Sequence, residues 1–301
     1  MTNATIHRSE IKKIALALGE LNDQVIYVGG AAVGLYVNDP AADDVRPTKD
    51  VDISLSVASI GELEQMREEL IKKGFIQTAE DNVICRFQYD HVKVDVMNST
   101  AIGWAPANPW FAPGFSLKES LDIEGLTIQI LPLPYFIATK FEAYNSRGKN
   151  DPRTSQDFED IVYILDNRTD LTKILINISP RDVKVFLNGE FSKILAQPEL
   201  QEAISSNLFY ETRDERFSMI MEKLKAINEE YLTKYSLNKP YILNESSQIK
   251  SYEIKFIPIF YPPPPRPPHP RPITRLRSRP PQWPRHRSRD QARCDQEYRH
   301  Q

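Results

Sequence analysis

Asp50 and Asp52, two carboxylates separated only by Val51, are the residues of this chain with the clearest chemistry. From Val51 to Leu55 apolar and polar residues alternate, the pattern of a half-buried strand. In a strand, side chains at i and i+2 stand on one face roughly 6.5–7 Å apart. Both carboxylates then share a face, while Val51, Ile53 and Leu55 pack on the other. Carboxylates so placed can hold magnesium, a hard cation that takes oxygen ligands and few protein contacts. About twenty residues upstream, Val28-Gly29-Gly30 supplies a tight turn. There, backbone N–H groups can approach phosphate oxygens at a helix start.

A third carboxylate fits the same picture. His91 to Met97 alternates strongly, with Val92, Val94 and Val96 on one face and Lys93 and Asp95 on the other. Beside the Asp50 strand, it brings Asp95 to the same polar face. Three carboxylates around two magnesium ions is the arrangement needed for in-line nucleotidyl transfer, because the metals clamp the attacking and leaving oxygens and neutralise charge on the phosphoryl group. A lone Asp-x-Asp is more often a pair of solvent-facing strand residues. The upstream glycines, the Thr48-Lys49 lead-in and Asp95 on a second alternating strand turn the reading towards chemistry.

The elements around these residues must position them. Ile11 to Leu21 has the spacing of an amphipathic helix capped by Ser9, Gln24 to Val28 that of a short strand, and Ala31 to Val37 that of the next helix. A helix is expected from about Ile60 to Lys73, with strands near Phe75, Val83–Tyr89, Val92–Met97, Leu121–Ile123 and Leu126–Leu131. This order predicts an α+β fold, a small mixed sheet covered by helices on one side. From Asn98 to Phe115 runs a long loop rich in Trp, Phe and Pro, whose aromatics either stack a base or close the core as a flap. Helical spacing then dominates in Tyr135–Arg147, Thr154–Leu165, Leu171–Ile176, Pro180–Leu187 and Phe209–Tyr235. The expected division is a sheet domain over 1–131 carrying the three carboxylates, a helical domain over 132–245 closing a cleft over the Asp50 strand, and a Pro/Arg-rich disordered tail over 246–301.

Taken together, Gly29-Gly30, Arg46-Pro47-Thr48-Lys49-Asp50-Val51-Asp52-Ile53 and Val94-Asp95-Val96 resemble the nucleotidyltransferase superfamily of the polymerase-β type. Within it the chain is most similar to the AbiEii-like abortive-infection group. The resemblance implies that Gly29 and Gly30 are phosphate-loop positions, with Arg46, Thr48 and Lys49 beside them as nucleotide-binding candidates. It implies that Asp50 and Asp52 bind metal and that Asp95 is a metal ligand or general base. Proteins of that group also carry a lysine on one helix and a basic residue followed by Asp-x-x-Asp on the next. Lys140, Asp157 and Asp160 match these positions. At i and i+3, Asp157 and Asp160 share a helix face, so Asp157 can look towards the nucleotide while Asp160 braces it. The chain departs from the pattern at Gln156, where a basic residue is usual; Arg147 or Arg153 is left to do that work.

The resemblance implies transfer of a nucleoside monophosphate from a nucleoside triphosphate to an acceptor. RNA, commonly tRNA, is the acceptor it suggests, in a toxin–antitoxin or phage-defence setting with a cognate antitoxin. A small-molecule acceptor such as an aminoglycoside is the alternative within the same chemistry. A non-catalytic, nucleotide-binding relative is the alternative outside it, against which an intact Asp50, Asp52 and Asp95 set argues.

Composition bounds these readings. The chain has 301 residues, 41% hydrophobic and 26% charged, the balance of a globular protein rather than a membrane one. No apolar run is long enough to span a bilayer and the first residues lack a basic-apolar signal pattern, so the expected location is the cytoplasm. With Cys85 and Cys294 alone, neither a disulfide framework nor a zinc site is indicated. The net charge of −3 conceals a tail over 261–301 with ten Arg, no Lys and three acidic residues, and an acidic body before it. Eleven of the 23 prolines fall in that tail, so it cannot bury a core. Its abrupt switch to arginine suggests an acquired or out-of-frame extension; an RNA-binding arm or a proline ligand is the functional alternative.

Overall fold

Two valine-rich strands and a glycine turn organise the molecule. The computed structural model describes residues 1–77, 84–148 and 151–236. The Pro/Arg-rich tail, the end of the expected helical region and Val83 at the start of one expected strand lie outside them.

A six-stranded mixed sheet runs in the order β3-β4-β2-β1-β6-β5. Its strands are β1 (Ile26–Val28), β2 (Asp50–Leu55), β3 (Arg86–Tyr89), β4 (Val92–Asn98), β5 (Glu119–Ile123) and β6 (Leu126–Ile130). β2 is central because it is apolar on one face and flanked by strands that are equally so. Val51, Ile53 and Leu55 of β2 and Val92, Val94 and Val96 of β4 are all buried, as the alternation requires. β2 pairs in parallel with β4 and antiparallel with β1. β3 and β4 form a hairpin through the two-residue turn Asp90-His91, with Asp90 at φ 54°.

The helix α1 (Asn3–Leu18) starts eight residues before the expected Ile11. Thr2 caps it by accepting from the Thr5 amide, and the carboxylate of Asp44 accepts from the Asn3 and Ala4 amides at 2.7 and 3.1 Å. An acid forty residues away satisfies the first-turn donors that local sequence leaves open. α2 (Ile60–Lys72) is capped by Ser59, whose Oγ accepts from Glu62 N. The helix expected over Ala31–Val37 is only a short 3₁₀ turn at Val33–Leu35. Ala31, Ala32, Val33, Leu35 and Tyr36 are all buried, and Tyr36 stacks on Phe136 at 4.0 Å while donating to the Leu131 carbonyl. Packing on every side overrides the helical pattern of so short a segment.

A short helix α3 (Phe111–Phe115) lies within the aromatic loop. The helical half comprises α4 (Leu133–Ala143), α5 (Gln156–Asn167), α6 (Leu171–Ile176), α7 (Arg181–Ala196), α8 (Pro198–Ser206) and α9 (Arg213–Ser236). α4 is buried almost all round, by residues Tyr135 through Phe141, and packs on α5 and α7. α5 is capped by Ser155 and presents Phe158, Ile161, Ile164 and Leu165 inward. α7 runs well past Leu187, and α8, opened by Pro198, was not anticipated. One continuous apolar cluster links the sheet to α4, α5, α7 and α9.

Candidate active site

The site begins where β1 ends. Val28 lies opposite Asp52 in the β1–β2 ladder, so Gly29 is delivered directly onto the Asp52 carboxylate. Gly29 has φ 70°, and a Cβ there would overlap that carboxylate. A Cβ at Gly30 would come 2.7 Å from Arg46 Nη2. Gly29 is required there, by its φ and by the Asp52 carboxylate pressed on it, while Gly30 leaves room for the Arg46 guanidinium. Thr48 Oγ1 donates to Asp50 Oδ1 at 3.1 Å, and the Thr48 amide donates to Nε2 of buried His7 at 3.3 Å. Burial, helped by the Arg46 charge, holds the His7 pKa below its ordinary value, which keeps Nε2 available as an acceptor.

The opposite wall comes from α4 and α5. Lys140, buried on α4, lies 2.8 Å from Asp160 Oδ2 and 3.7 Å from Asp157 Oδ1. Arg46 makes two bonds to Asp160, at 2.7 and 2.9 Å. Arg147, on a π-helical turn at Tyr144–Gly148, makes two to Asp157, at 2.8 and 3.1 Å. Three cations are thus held by two carboxylates. Burial alone would raise the Asp157 pKa; Lys140 and Arg147 outweigh it and hold the carboxyl below its usual range. Asp157 is therefore ionised, with both oxygens already accepting from Arg147.

Between the walls is a cavity of about 360 Å³. Gly29, Gly30, Arg46, Thr48, Asp50 and Asp52 line one side, and Lys140, Arg147 and Asp157 the other. Met97, Pro106, Asn108, Pro109 and Phe111 close it with a mainly apolar surface. Asn108 is fixed by donating to the Thr139 carbonyl and accepting from the Trp110 amide, both at 3.1 Å. Of the loop's large aromatics, Phe111 alone lines the cavity. Trp104 donates to Glu64 and carries Arg67 over its ring, and Trp110 packs on Tyr135 and Phe186. These two act as a packing flap.

Three of the sequence-predicted residues stand outside the cavity lining. Lys49 is exposed. Asp160 is buried behind Lys140 and Arg46, bracing them as expected. Asp95 does lie beside Asp52 in the β2–β4 register, but Arg86 holds both of its oxygens at 2.7 Å. Arg86 also donates to Asp50 Oδ2 at 3.1 Å. Among the described residues, no group of three or more acidic, His or Cys side chains is arranged to hold a metal ion. Asp50 and Asp52, facing the cavity against the glycine turn, fit one hard cation completed by water or phosphate oxygens. In the three-carboxylate, two-ion arrangement expected from the sequence, the third carboxylate is the one that Arg86 engages.

Arg86 was not singled out from the sequence. The signal was there: Cys85 and Phe87 alternate with Arg86 and Gln88, and the two-residue Asp90-His91 turn sets Arg86 opposite Asp95. Of the two candidates for the missing basic residue, Arg147 engages Asp157, whereas Arg153 pairs with Asp151 and Glu202.

A glycine turn against an Asp-x-Asp strand in a mixed sheet, faced by a helix pair that presents buried cations, is the architecture of a nucleotidyltransferase. The chain belongs to the AbiEii family: the sequence model described as "Nucleotidyl transferase AbiEii toxin, Type IV TA system" matches residues 14–235. The crystal structure of an antigenic nucleotidyltransferase-like protein from Paracoccidioides brasiliensis is similar at 18% identity, over 66% of this chain and 92% of that one, with a TM-score of 0.38. No curated protein matches. No described helix is long and apolar enough to cross a membrane.

Proposed function

We propose that this enzyme moves a nucleoside monophosphate from a nucleoside triphosphate to an RNA acceptor, of which tRNA is the class we favour, as the toxin of a cytoplasmic toxin–antitoxin pair. The observation that carries the reading is the opposition of two walls across one cavity: Asp50 and Asp52 on the sheet face Lys140 and Arg147 on the other side, with Arg46 reaching across from the sheet side to Asp160.

The roles follow from charge and position. Asp50 and Asp52 would hold magnesium, which when bound would neutralise charge developing on the transferred phosphoryl group. The triphosphate lies towards Lys140, Arg46 and Arg147, with the Gly29-Gly30 amides offering further donors. Since Val33–Leu35 is only a 3₁₀ turn, a helix dipole contributes little, and side-chain cations supply most of the phosphate attraction. Met97, Pro106 and Phe111 offer an apolar surface suited to the base. The acceptor hydroxyl oxygen bonds to the α-phosphorus as the bond to pyrophosphate breaks, and the hydroxyl proton leaves to solvent water. Asp157, with its pKa held low and its oxygens accepting from Arg147, positions cations rather than accepting the acceptor's proton.

The test is incubation of purified protein with each labelled nucleoside triphosphate, magnesium and total cellular RNA, beside an Asp50→Ala/Asp52→Ala control. Label entering an RNA band with the wild type alone is the expected result. Nucleotide binding that needs both aspartates, without RNA labelling, would redirect the search to small acceptors such as aminoglycosides. Neither binding nor labelling would leave a non-catalytic relative.

A further inference from the structure

Arg86, Asp95 and Asp52 form one row across three adjacent strands, since Arg86 pairs with Asp95 in the β3–β4 register and Asp95 with Asp52 in the β4–β2 register. Directly opposed residues point to the same face, so the row is continuous on the polar side of the sheet. Asp95 is 1% exposed. A carboxylate so buried remains charged only with a close partner, and the two parallel 2.7 Å bonds from the Arg86 fork provide it. The same guanidinium reaches Asp50 Oδ2, while Thr48 takes Asp50 Oδ1. Asp50 is thereby held from both oxygens, and Arg86 sits between two of the three carboxylates.

Resting on the nucleotidyl-transfer reading above, we propose that Arg86 is a resident cation standing in for a second metal ion, so that the site takes one divalent cation on Asp50 and Asp52. Both Asp95 oxygens already bond a cation, so a second ion there would meet like charge at either oxygen, whereas Asp50 gives only Oδ2 to Arg86 and Oδ1 to the neutral Thr48 hydroxyl. The charges agree: three carboxylates and one guanidinium sum to −2, which one divalent ion neutralises. Asp95 is then a positioning residue, acting through Arg86 on Asp50.

The experiment is titration of the full chain with Mn²⁺ alone, followed by loss of the free-ion EPR signal, in the wild type and in Asp52→Asn, Asp95→Asn, Arg86→Lys and Arg86→Met. The wild type and Arg86→Lys should bind one ion per chain. Asp52→Asn should weaken binding at least about tenfold, whereas Asp95→Asn should change it by less than about threefold. Arg86→Met, which removes the guanidinium from Asp95, should gain a second ion or bind at least about tenfold tighter. It should also gain more in melting temperature from Mn²⁺ than the wild type does, because the ion replaces the lost charge. Two ions in the wild type, a loss in Asp95→Asn equal to that in Asp52→Asn, or no Mn²⁺ binding at all would each overturn the proposal. RNA labelling is scored separately, so transfer that persists beside any of these results would remove the role of Arg86 and leave the enzyme reading standing. Should Arg86→Met fail to fold, Asp95→Asn and the wild-type stoichiometry decide by themselves.

Discussion

Lys140 Nζ lies 2.8 Å from Asp160 Oδ2 with both residues buried, and Arg46 holds Asp160 from the other side. Asp160 is therefore the shared counter-ion of two cations that reach the cavity wall. Replacing it by Asn leaves Lys140 and Arg46 short of a negative charge in a buried setting, at a cost of about 3 kcal/mol or more. Urea unfolding of Asp160→Asn should show that loss. Lys140→Met leaves Asp160 paired with Arg46 and Asp157 paired with Arg147, so it should cost clearly less stability while lowering transfer about 10²–10³-fold. Equal destabilisation by the two variants would contradict the shared counter-ion.

Asp52→Ala should abolish transfer, with a loss of about 10³-fold or more, since the carboxylate that bears on the metal position is gone. The fold should survive, because the change relieves repulsion between neighbouring acids. Activity near the wild-type level in a folded Asp52→Ala protein, checked by circular dichroism and RNA labelling together, would remove Asp52 from the metal site.

Gly29 combines a left-handed φ with a backbone pressed on Asp52. Gly29→Ala should cost about 1–3 kcal/mol from the backbone alone, and more from the overlap. Displacement of the Asp52 carboxylate should reduce transfer as severely as Asp52→Ala does. A Gly29→Ala protein with wild-type melting and wild-type labelling would mean that the turn does not hold Asp52.

The His7 pKa is held below its ordinary value by burial and by Arg46, against smaller opposing effects of Asp44 and Asp160. The unfolded chain therefore binds this proton more readily than the folded one, and stability falls as pH drops below about 6.5. Protonation also removes the acceptor for the Thr48 amide, at the lead-in to Asp50. Melting temperatures from pH 7.5 to 5 should decline in the wild type and decline less in His7→Gln. Parallel curves would assign the acid sensitivity to other groups.

Much of the site could be read along the chain because its parts are local patterns. The period-two alternation of β2 and β4 placed Asp50 and Asp52 on one face and Asp95 on the neighbouring strand's matching face, and the structure has these strands side by side. Ser155 before α5 marked its start. Asp157 and Asp160, three apart, share the face that meets Lys140. The helix starting at Asn3 and the loss of helix after Gly30 were not legible, since the first needs Asp44 and the second follows from burial against α4.

By itself, the order of residues determined which side chains could do chemistry and on which elements they ride, because strand and helix periods are properties of the chain. Only the tertiary structure decided which charges meet. Arg86 reached Asp95, Arg147 rather than Arg153 took Asp157, and Arg46 joined Lys140 on Asp160. The reason is energetic: a buried charge must find a partner within a few ångströms, and which partner is near is fixed by how strands and helices from distant parts of the sequence pack.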